Sequence, residues 1–340
     1  MSAALSSQGV WTLAWKRLKA DRVGMVCLAI VAAFSLLVLL TAGGALASQW
    51  QQEVGVPNAP PHFVGPKPPE ALSLIELPKG PPVDISDIDP LAPRYKEWEE
   101  AARQYATEEV VRAETLAFGA DRLGRDIVQK VLKGAEVSIV VGLCAALVAT
   151  AIGTLLGALS GYFGGKLGDF LEWVYNVFTA IPSILLIFAF AVIFGRGVLS
   201  VVLILGLTGW TGIYRLVRAE FMKHRSREYV RSAEAIGASH GARIFKHILP
   251  NVSHVALVQL SLHVVSFIKS EVILSYLGLG VSVDQVSWGT MLAEAQSELI
   301  LGYWWQLAAV TFTMALFVTA FALFTDALRD ALDPKLRGLE

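Results

Sequence analysis

The chain has 340 residues, of which 54% are hydrophobic and only 17% are charged, and its mean hydropathy is +0.55. Soluble domains usually carry about 25% charged residues, so this composition excludes an ordinary soluble domain. The net charge of −1 excludes the strongly basic field that is typical of nucleic-acid-binding proteins.

Six apolar blocks run along the chain, each long enough to cross a bilayer. A helix needs roughly 20 apolar residues to cross about 30 Å of hydrocarbon, and the blocks lack the alternating period of barrel strands. The sequence therefore predicts an all-α membrane protein with six transmembrane helices. They are expected near residues 23–48, 138–163, 170–194, 198–221, 252–280 and 303–328.

The first block follows a polar segment, residues 1–22, that ends in a group of lysines and arginines. A cleaved signal peptide is one interpretation, because Ala45, Leu46 and Ala47 resemble a cleavage site. The apolar run is longer than the roughly 7–15 residues of a signal peptide's hydrophobic region. This length favours a retained first helix preceded by a tail.

The segment 49–134 separates the first block from the others. Eleven of the 14 prolines lie between Pro57 and Pro93, which predicts extended, irregular chain, whereas residues 95–117 are expected to be helical. Between residues 49 and 118 there are 12 acidic and 6 basic side chains, a balance that anionic cytoplasmic lipid does not attract. We therefore place this segment on the outer side, as a Pro-rich insert followed by an approach to the second helix.

Small residues and a proline mark the later blocks. Glycines at 142, 153, 157 and 161 form one small-residue face on the second helix, suited to close helix packing. Pro182 lies inside the third block and is expected to kink it. Cys27 and Cys144 both lie in apolar blocks, where we expect small hydrophobic residues rather than a disulfide or a metal site.

Lysine and arginine counts set the expected orientation. With the N-terminus in the cytoplasm, the inner segments hold 16 of the 28 basic residues, as the positive-inside rule requires. Both termini are then cytoplasmic. The expected organisation is a tail (1–22), a first helix (23–48), the outer insert (49–134), a core of five helices (135–330) and a second tail (331–340).

The connection between the fourth and fifth helices, residues 228–251, is strongly basic and rich in small residues. Its pattern predicts a helix over 231–236, a break at Gly237, and a second helix over 241–249 stopped at Pro250. Small residues at Ala233, Ala235, Gly237 and Ala238 would allow close approach to another protein. An amphipathic helix resting on lipid is the alternative that composition leaves open.

This loop resembles the EAA loop of permease subunits of binding-protein-dependent ABC importers. Gly237 and the pair Leu249 and Pro250 stand at the family spacing, whereas Arg231 and Ser232 replace a glutamate and an alanine, and His247 replaces an isoleucine. The resemblance implies a loop that couples the permease to an ATPase. Its residues here are Arg231, Ser232, Ala233, Glu234, Gly237, Ala238, Ile248, Leu249 and Pro250.

Further motifs resemble the C-type subunits of the peptide/nickel branch of this family. Residues 119–126 (GADRLGRD) match a segment before the second helix that includes Asp121, Gly124, Arg125 and Asp126. Residues 161–165, 274–280, 287–289 and 328–334 match in the same order. The resemblance implies the type I ABC importer permease fold and the import of peptides or a related small solute. It does not explain the length of the insert. A role in contacting the binding protein or shielding the pore entrance, and a plain solvated loop, remain equal alternatives.

The resemblance also implies partners: a second permease subunit forming a heterodimer, two cytoplasmic ATPase subunits, a periplasmic substrate-binding protein and the lipid bilayer of the bacterial inner membrane. The sequence contains no G-x-x-x-x-G-K-[ST] motif, since Leu167 follows Lys166 in the stretch that comes nearest to it. We therefore expect no enzyme activity, cofactor or metal in this chain, with ATP and Mg on the ATPase subunits and no nucleic acid.

Charged side chains within the fifth block are the remaining candidates. Lys269 and Glu271 could line a translocation path, since charge inside a membrane is costly and often functional. They are two residues apart on a helix, so they point to different faces and are not expected to pair. Instead of lining a path, these two side chains could pair with a neighbouring subunit or lie close to the membrane–water interface. His263, in the same block, is expected to be a packing residue. A scaffold without transport and a secondary transporter are the alternatives for the whole chain.

Overall fold

The computed structural model of the chain describes residues 10–66, 89, 91, 94–104 and 111–332. The chain forms two compact units: Met1–Trp50 together with Ile127–Glu340, and Gln51–Asp126. Most of the Pro-rich stretch and the outer ends of both tails lie outside the described residues.

The described residues are mainly helical. A six-residue π-helical turn, Arg243–Ile248, joins α10 to α11. The α-helices in chain order are α1 Val10–Ala20, α2 Arg22–Ala42, α3 Tyr95–Gln104, α4 Ile127–Phe163, α5 Gly165–Ala180, α6 Ser183–Phe194, α7 Val198–Thr208, α8 Thr211–Arg225, α9 Glu228–Ala235, α10 His240–Ala242, α11 Leu249–Tyr276, α12 Trp288–Ile300 and α13 Trp305–Leu332.

Four helical segments are long and apolar enough to cross a membrane, and two bent helix pairs bring the number of spans to six when each pair is counted as one. The four are Arg22–Ala42, Ile127–Phe163, His240–Tyr276 and Trp305–Ala331. The pairs are α5 with α6, bent by 92°, and α7 with α8, bent by 42°. The all-α membrane architecture predicted from the apolar blocks is thereby confirmed.

Both bends occur where the sequence disfavours a continuous helix. The expected kink at Pro182 is a full break: α5 ends at Ala180 and Pro182 caps the start of α6, because the ring removes a backbone donor and clashes with the preceding turn. The second break, at Gly209 and Trp210, was not predicted. A Cβ on Gly209 would lie 2.3 Å from Cζ of Phe267, so the glycine at this break admits an aromatic ring from α11.

The small-residue face of α4 packs as expected. A Cβ on Gly153, Gly157 or Gly161 would lie 2.5 to 2.7 Å from a backbone carbonyl oxygen of α8 or of Trp210 just before it. A Cβ on Gly142 would lie 2.3 Å from Cγ1 of Ile268 in α11. The glycines therefore let α4 lie against both helices at backbone distance, which makes α4 the centre of this unit.

Several helix bounds differ from the prediction. Helix α4 starts at Ile127, eleven residues before the apolar block, because charged side chains such as Lys130 are accommodated by polar partners inside the protein. The amphipathic helices α1 and α12 were missed because neither forms a long apolar block. Helix α2 ends at Ala42, short of the predicted residue 48.

The unit Gln51–Asp126 is held by isolated backbone bridges. Gly55 pairs with Ala113 and Pro61 with Leu116, and the chain from 111 to 117 is not helical. The prediction of a helix through residue 117 is wrong there, because these residues satisfy their backbone groups across the unit rather than along a helix. Helix α3 covers Tyr95–Gln104, and residues 105–110 lie outside the described part of the chain.

Candidate functional site

The loop 228–251 folds as a helix, a sharp turn and a second helix. Helix α9 ends at Ala235, and Gly237 follows with φ +86°, a left-handed conformation that glycine adopts without strain. Ser239 then caps α10 by accepting a hydrogen bond from the Ala242 N–H at 3.3 Å. The break expected at Gly237 is confirmed, and we call residues 228–248 the coupling element.

The predicted stop at Pro250 is wrong. Helical chain continues from His240 to Tyr276 over 37 residues, and Pro250 lies in the first turn of α11. The π-helical turn makes this possible, because the Leu249 N–H donates to the carbonyl of Ile244, five residues back. The side-chain amide of Asn251 also donates to the His247 carbonyl at 2.7 Å. Pro250 has no backbone N–H to donate, and these two hydrogen bonds on either side of it hold the helical chain together, so the coupling element is continuous with a transmembrane helix.

The inner face of the coupling element is part of a hydrophobic core. Val230, Ile244 and Ile248 are buried against side chains of α4, α8 and α11. Burying each such side chain contributes about 1.5–3 kcal/mol. Ala233 is also buried, at 4% exposure, so it packs inside the chain and does not offer the open surface expected of it.

A chain of polar contacts ties α9 to the second half of the element. The Arg243 guanidinium donates to the Glu234 carboxylate at 2.6 Å, and its Nη2 lies 3.0 Å from His240 Nδ1. The hydroxyl of Tyr162, at the end of α4, lies 2.9 Å from the same His240 nitrogen. Arg243 is 8% exposed, so its charge is held inside this network rather than in water.

Next to this network is a cavity of about 510 Å³, lined by Arg225, Arg231, Glu234, Arg243 and the Tyr162 ring among others. Three arginines face one glutamate there, so the cavity is positively charged. Nearby, the Tyr229 hydroxyl lies 2.8 Å from His224 Nδ1.

The solvent-exposed face of the coupling element carries several of the residues singled out from the sequence. Arg231, Ser232 and Gly237 are exposed and Ala238 is half-buried. Ile236, directly after α9, is 86% exposed, an unusual position for a large aliphatic side chain. A Cβ on Gly237 would meet nothing within 4 Å, so the space beside this turn is open.

The two charged residues of α11 lie on opposite faces, as expected. Glu271 is fully buried, and its carboxylate oxygens accept hydrogen bonds from Ser138 of α4 at 2.7 Å and from Ser275 at 2.6 Å. Ser138 also accepts the Trp288 N–H at 3.1 Å. Glu271 therefore joins α4 and α11 near the start of α12, and the expectation that it lines a path is corrected because the side chain is enclosed.

Lys269, in contrast, is exposed on the other side of α11. Among the residues that the structure describes, none forms an ion pair or a hydrogen bond with its ammonium group. A lysine held in hydrocarbon costs about 3 kcal/mol at the bilayer centre, so this face of α11 needs a polar neighbour or water.

The motif 119–126 builds a turn within the unit Gln51–Asp126. Asp121 is fully buried and accepts hydrogen bonds from the backbone N–H groups of Leu123 and Arg125 at 2.9 and 3.0 Å. The Arg125 guanidinium pairs with the same carboxylate at 2.7 Å. Gly124 has φ +82°, and a Cβ on it would clash with the Gly55 carbonyl oxygen; Asp126 is half-buried.

Comparison with known proteins agrees with this architecture. A family model described as "Binding-protein-dependent transport system inner membrane component" matches residues 153–338, which include the coupling element and all of α11. The chain belongs to this family of transport permeases. Its fold is accordingly that of a type I ABC importer permease, and a second model, "N-terminal TM domain of oligopeptide transport permease C", matches residues 9–61.

Individual relatives support the same assignment. The chain is 36% identical over 220 residues to the dipeptide transport system permease protein DppC of Bacillus subtilis, a match that covers 65% of this chain and 69% of the relative. It is 33% identical to the oligopeptide permease OppC of the same organism, over 65% of this chain and 72% of the relative. It is 39% identical to the glutathione permease GsiD of Salmonella paratyphi A, over 65% and 73%.

Sequence reasoning missed two buried basic side chains of this permease. Lys130 is fully buried, with its ammonium 2.5 Å from Glu294 of α12 and 3.4 Å from Gln306 of α13. Its partners lie more than 160 residues away along the chain, so no local spacing could reveal them. Arg243 was one basic residue in a basic loop, and only the fold shows that it points inward.

Proposed function

We propose that this permease pairs with a second permease subunit in the bacterial inner membrane and imports peptides or a related small solute. A periplasmic binding protein would deliver the solute, and two cytoplasmic ATPase subunits, holding ATP and Mg, would drive the cycle. The dipeptide, oligopeptide and glutathione permeases named above support this substrate range. No enzyme activity or cofactor is proposed for this chain.

The observation that carries the proposal is the continuity of the coupling element with α11. An exposed turn at Gly237 and Ile236 lies next to a buried core and to the Arg243–Glu234 ion pair, and helical chain leads from there to Tyr276. A force applied to such an element by an ATPase would move α11 as a rigid body.

The mechanism is a two-state transition biased by nucleotide. Closure of the ATPase pair would displace the coupling element, tilt α8 and α11, and switch access from the outer to the inner side. Because α4 packs at backbone distance against both α8 and α11, the three helices would move together. The ATPases can shift this equilibrium only by binding one conformation more tightly than the other.

Uptake by proteoliposomes tests the proposal. The purified permease pair, the ATPases and the binding protein are reconstituted, and accumulation of a labelled dipeptide is followed with ATP, without ATP and with an ion gradient alone. The proposal predicts uptake only with ATP and the ATPases. Gradient-driven uptake without ATPases would indicate a secondary transporter, and an intact complex without any uptake would indicate a scaffold.

A further inference from the structure

One face of α11 remains uncovered in the chain and combines polar and apolar side chains. At about 100° per residue, Glu271 and its buried neighbours point toward α4, and the residues near Lys269 point the opposite way. Five exposed residues at spacings of three and four form this stripe: Leu262, Ser266, Lys269, Ile273 and Tyr276. We call these five residues the outer stripe of α11.

The outer stripe carries polar groups among its apolar ones. Ser270, beside it, donates to the Ser266 carbonyl at 3.0 Å, and the Tyr276 hydroxyl donates to the Gln296 side chain of α12 at 2.7 Å. Lys269 adds a full charge about two turns before the end of the helix. Intramembrane ionisable residues almost always face a protein interior or a water-filled cavity.

An ion pair with the second permease subunit is one alternative for Lys269. Lysine is depleted in protein–protein interfaces because its strongly hydrated ammonium loses water there. Hydroxyl groups on both sides of Lys269 suit a hydrated surface better than a closed interface. These features favour a water-filled path for the solute, bordered by the outer stripe.

We infer that Lys269 binds the carboxylate of the transported solute as it passes along α11. This inference rests on the proposed function, and it names the substrate class as small solutes with a free carboxylate. A single exposed ammonium on a flexible stem is a point charge, so it would attract a carboxylate without holding it in one geometry. Such a contact suits a path in which the solute must enter and also leave.

Cysteine accessibility tests whether Lys269 borders the path. Cys27 and Cys144 are replaced by alanine, and Lys269→Cys is compared with Val272→Cys, at a neighbouring residue that is only 7% exposed. In the reconstituted complex, the thiol of Lys269→Cys should react with a membrane-impermeant anionic thiosulfonate, and transported dipeptide should slow that reaction. The thiol of Val272→Cys should stay unmodified. An unreactive thiol at position 269, or one that the dipeptide does not protect, would overturn the inference.

Paired substrates test the carboxylate itself. ATP-driven uptake of a dipeptide and of its C-terminal amide is measured for the wild type, Lys269→Gln and Lys269→Arg, and each mutant rate is divided by the wild-type rate for the same substrate. This ratio removes the selectivity of the binding protein. Lys269→Gln should lower uptake of the acid on the order of tenfold and leave the amide within about twofold, while Lys269→Arg should retain most of both.

The outcomes separate this inference from the proposed function. Equal losses for acid and amide would contradict the carboxylate contact and indicate an ion pair with the second permease subunit. Unchanged uptake of both substrates would also contradict it. In either case the wild type would still take up the dipeptide with ATP, and the proposed function would be unaffected. Absence of ATP-driven uptake by the wild type would refute the proposed function itself. If the wild type does not transport the amide, dipeptides with neutral and acidic side chains are compared instead. Lys269→Gln should then lower the uptake rate of the acidic dipeptide more than that of the neutral one.

Discussion

The guanidinium of Arg243 pairs with the carboxylate of Glu234 across 2.6 Å, joining α9 to the π-helical turn that leads into α11. The arginine side chain is 10% exposed and the glutamate side chain 63%. The pair therefore spans the boundary between the exposed turn and the buried core. Under the proposed function, movement imposed on the turn would pass through this pair to the transmembrane helix.

Glu234→Gln should weaken this link without unfolding the permease. Because Glu234 is largely exposed, we expect a loss of about 1 kcal/mol rather than the several kcal/mol of a fully buried pair. Uptake per ATP hydrolysed should fall, while ATP hydrolysis by the complex persists. The ratio of uptake to ATP hydrolysis is measured in proteoliposomes. The control is Glu228→Gln, which changes an exposed glutamate at the start of the same helix. An unchanged ratio in Glu234→Gln would show that the pair carries no movement.

Gly237→Ala should impair coupling because of backbone strain. The residue has φ +86°, where a Cβ costs about 1–2 kcal/mol, although the surrounding space is open. Gly241→Ala is the control, since it adds the same methyl group at another open position of the loop. Gly241 lies in α10 and its φ is not positive, so this variant should leave uptake unchanged. Equal behaviour of the two variants in the uptake-to-hydrolysis ratio would contradict a role for the turn geometry.

The coupling element shows how far sequence reasoning reached. The spacing of Gly237 and Pro250 was sufficient to predict a helix, a break and a second helix, because glycine and proline act on the local backbone. The predicted end at Pro250 was wrong. Proline lacks a backbone N–H, but the π-helical turn before it and the side-chain hydrogen bond of Asn251 to the His247 carbonyl keep the helical chain continuous. That compensation depends on several residues at once and has no simple signature.

Gly157→Val should destabilise the transport core. A Cβ there would lie 2.7 Å from the Tyr214 carbonyl oxygen and 3.0 Å from Cβ of Val217, so α4 and α8 must separate. Overpacking of this kind costs about 1–3 kcal/mol. We expect a lower thermal midpoint for the purified permease in detergent, measured by loss of monodisperse protein.

Gly212→Ala is the matched control for that substitution. Gly212 lies in α8, and a Cβ on it would meet nothing within 4 Å. Replacing an open helical glycine by alanine stabilises by about 0.5–1 kcal/mol, so the midpoint should hold or rise. A drop as large as that of Gly157→Val would mean that helix contact is not the cause.

Ser138→Ala should loosen the contact between α4 and the start of α12. It removes a donor to Glu271 and the acceptor of the Trp288 N–H, both buried. Leaving such groups unsatisfied costs about 1–3 kcal/mol each. Ser261→Ala removes only a bond to the Leu257 carbonyl within α11 and should change the thermal midpoint little. Equal midpoints for the two variants would show that the buried network adds no stability.

The membrane-embedded charges mark the limit of prediction from sequence. Helical geometry alone predicted that Lys269 and Glu271 face apart, and the structure confirms it. Which of the two is enclosed depends on Ser138, more than 130 residues earlier, and no pattern in α11 reveals it. The buried Lys130 was invisible for the same reason, since its partners come from α12 and α13.

Cross-linking from the coupling element tests the central claim most directly. Ile236→Cys and Val283→Cys replace aliphatic residues of nearly equal exposure, 86% and 87%, in the α9–α10 turn and in the α11–α12 connection. Both variants are made in the assembled transporter with Cys27 and Cys144 replaced by alanine. The thiol of Ile236→Cys should form an adduct with an ATPase subunit through a short bifunctional reagent, and the thiol of Val283→Cys should not. An intact complex in which Ile236→Cys yields no ATPase adduct, or in which Val283→Cys does, would contradict the account.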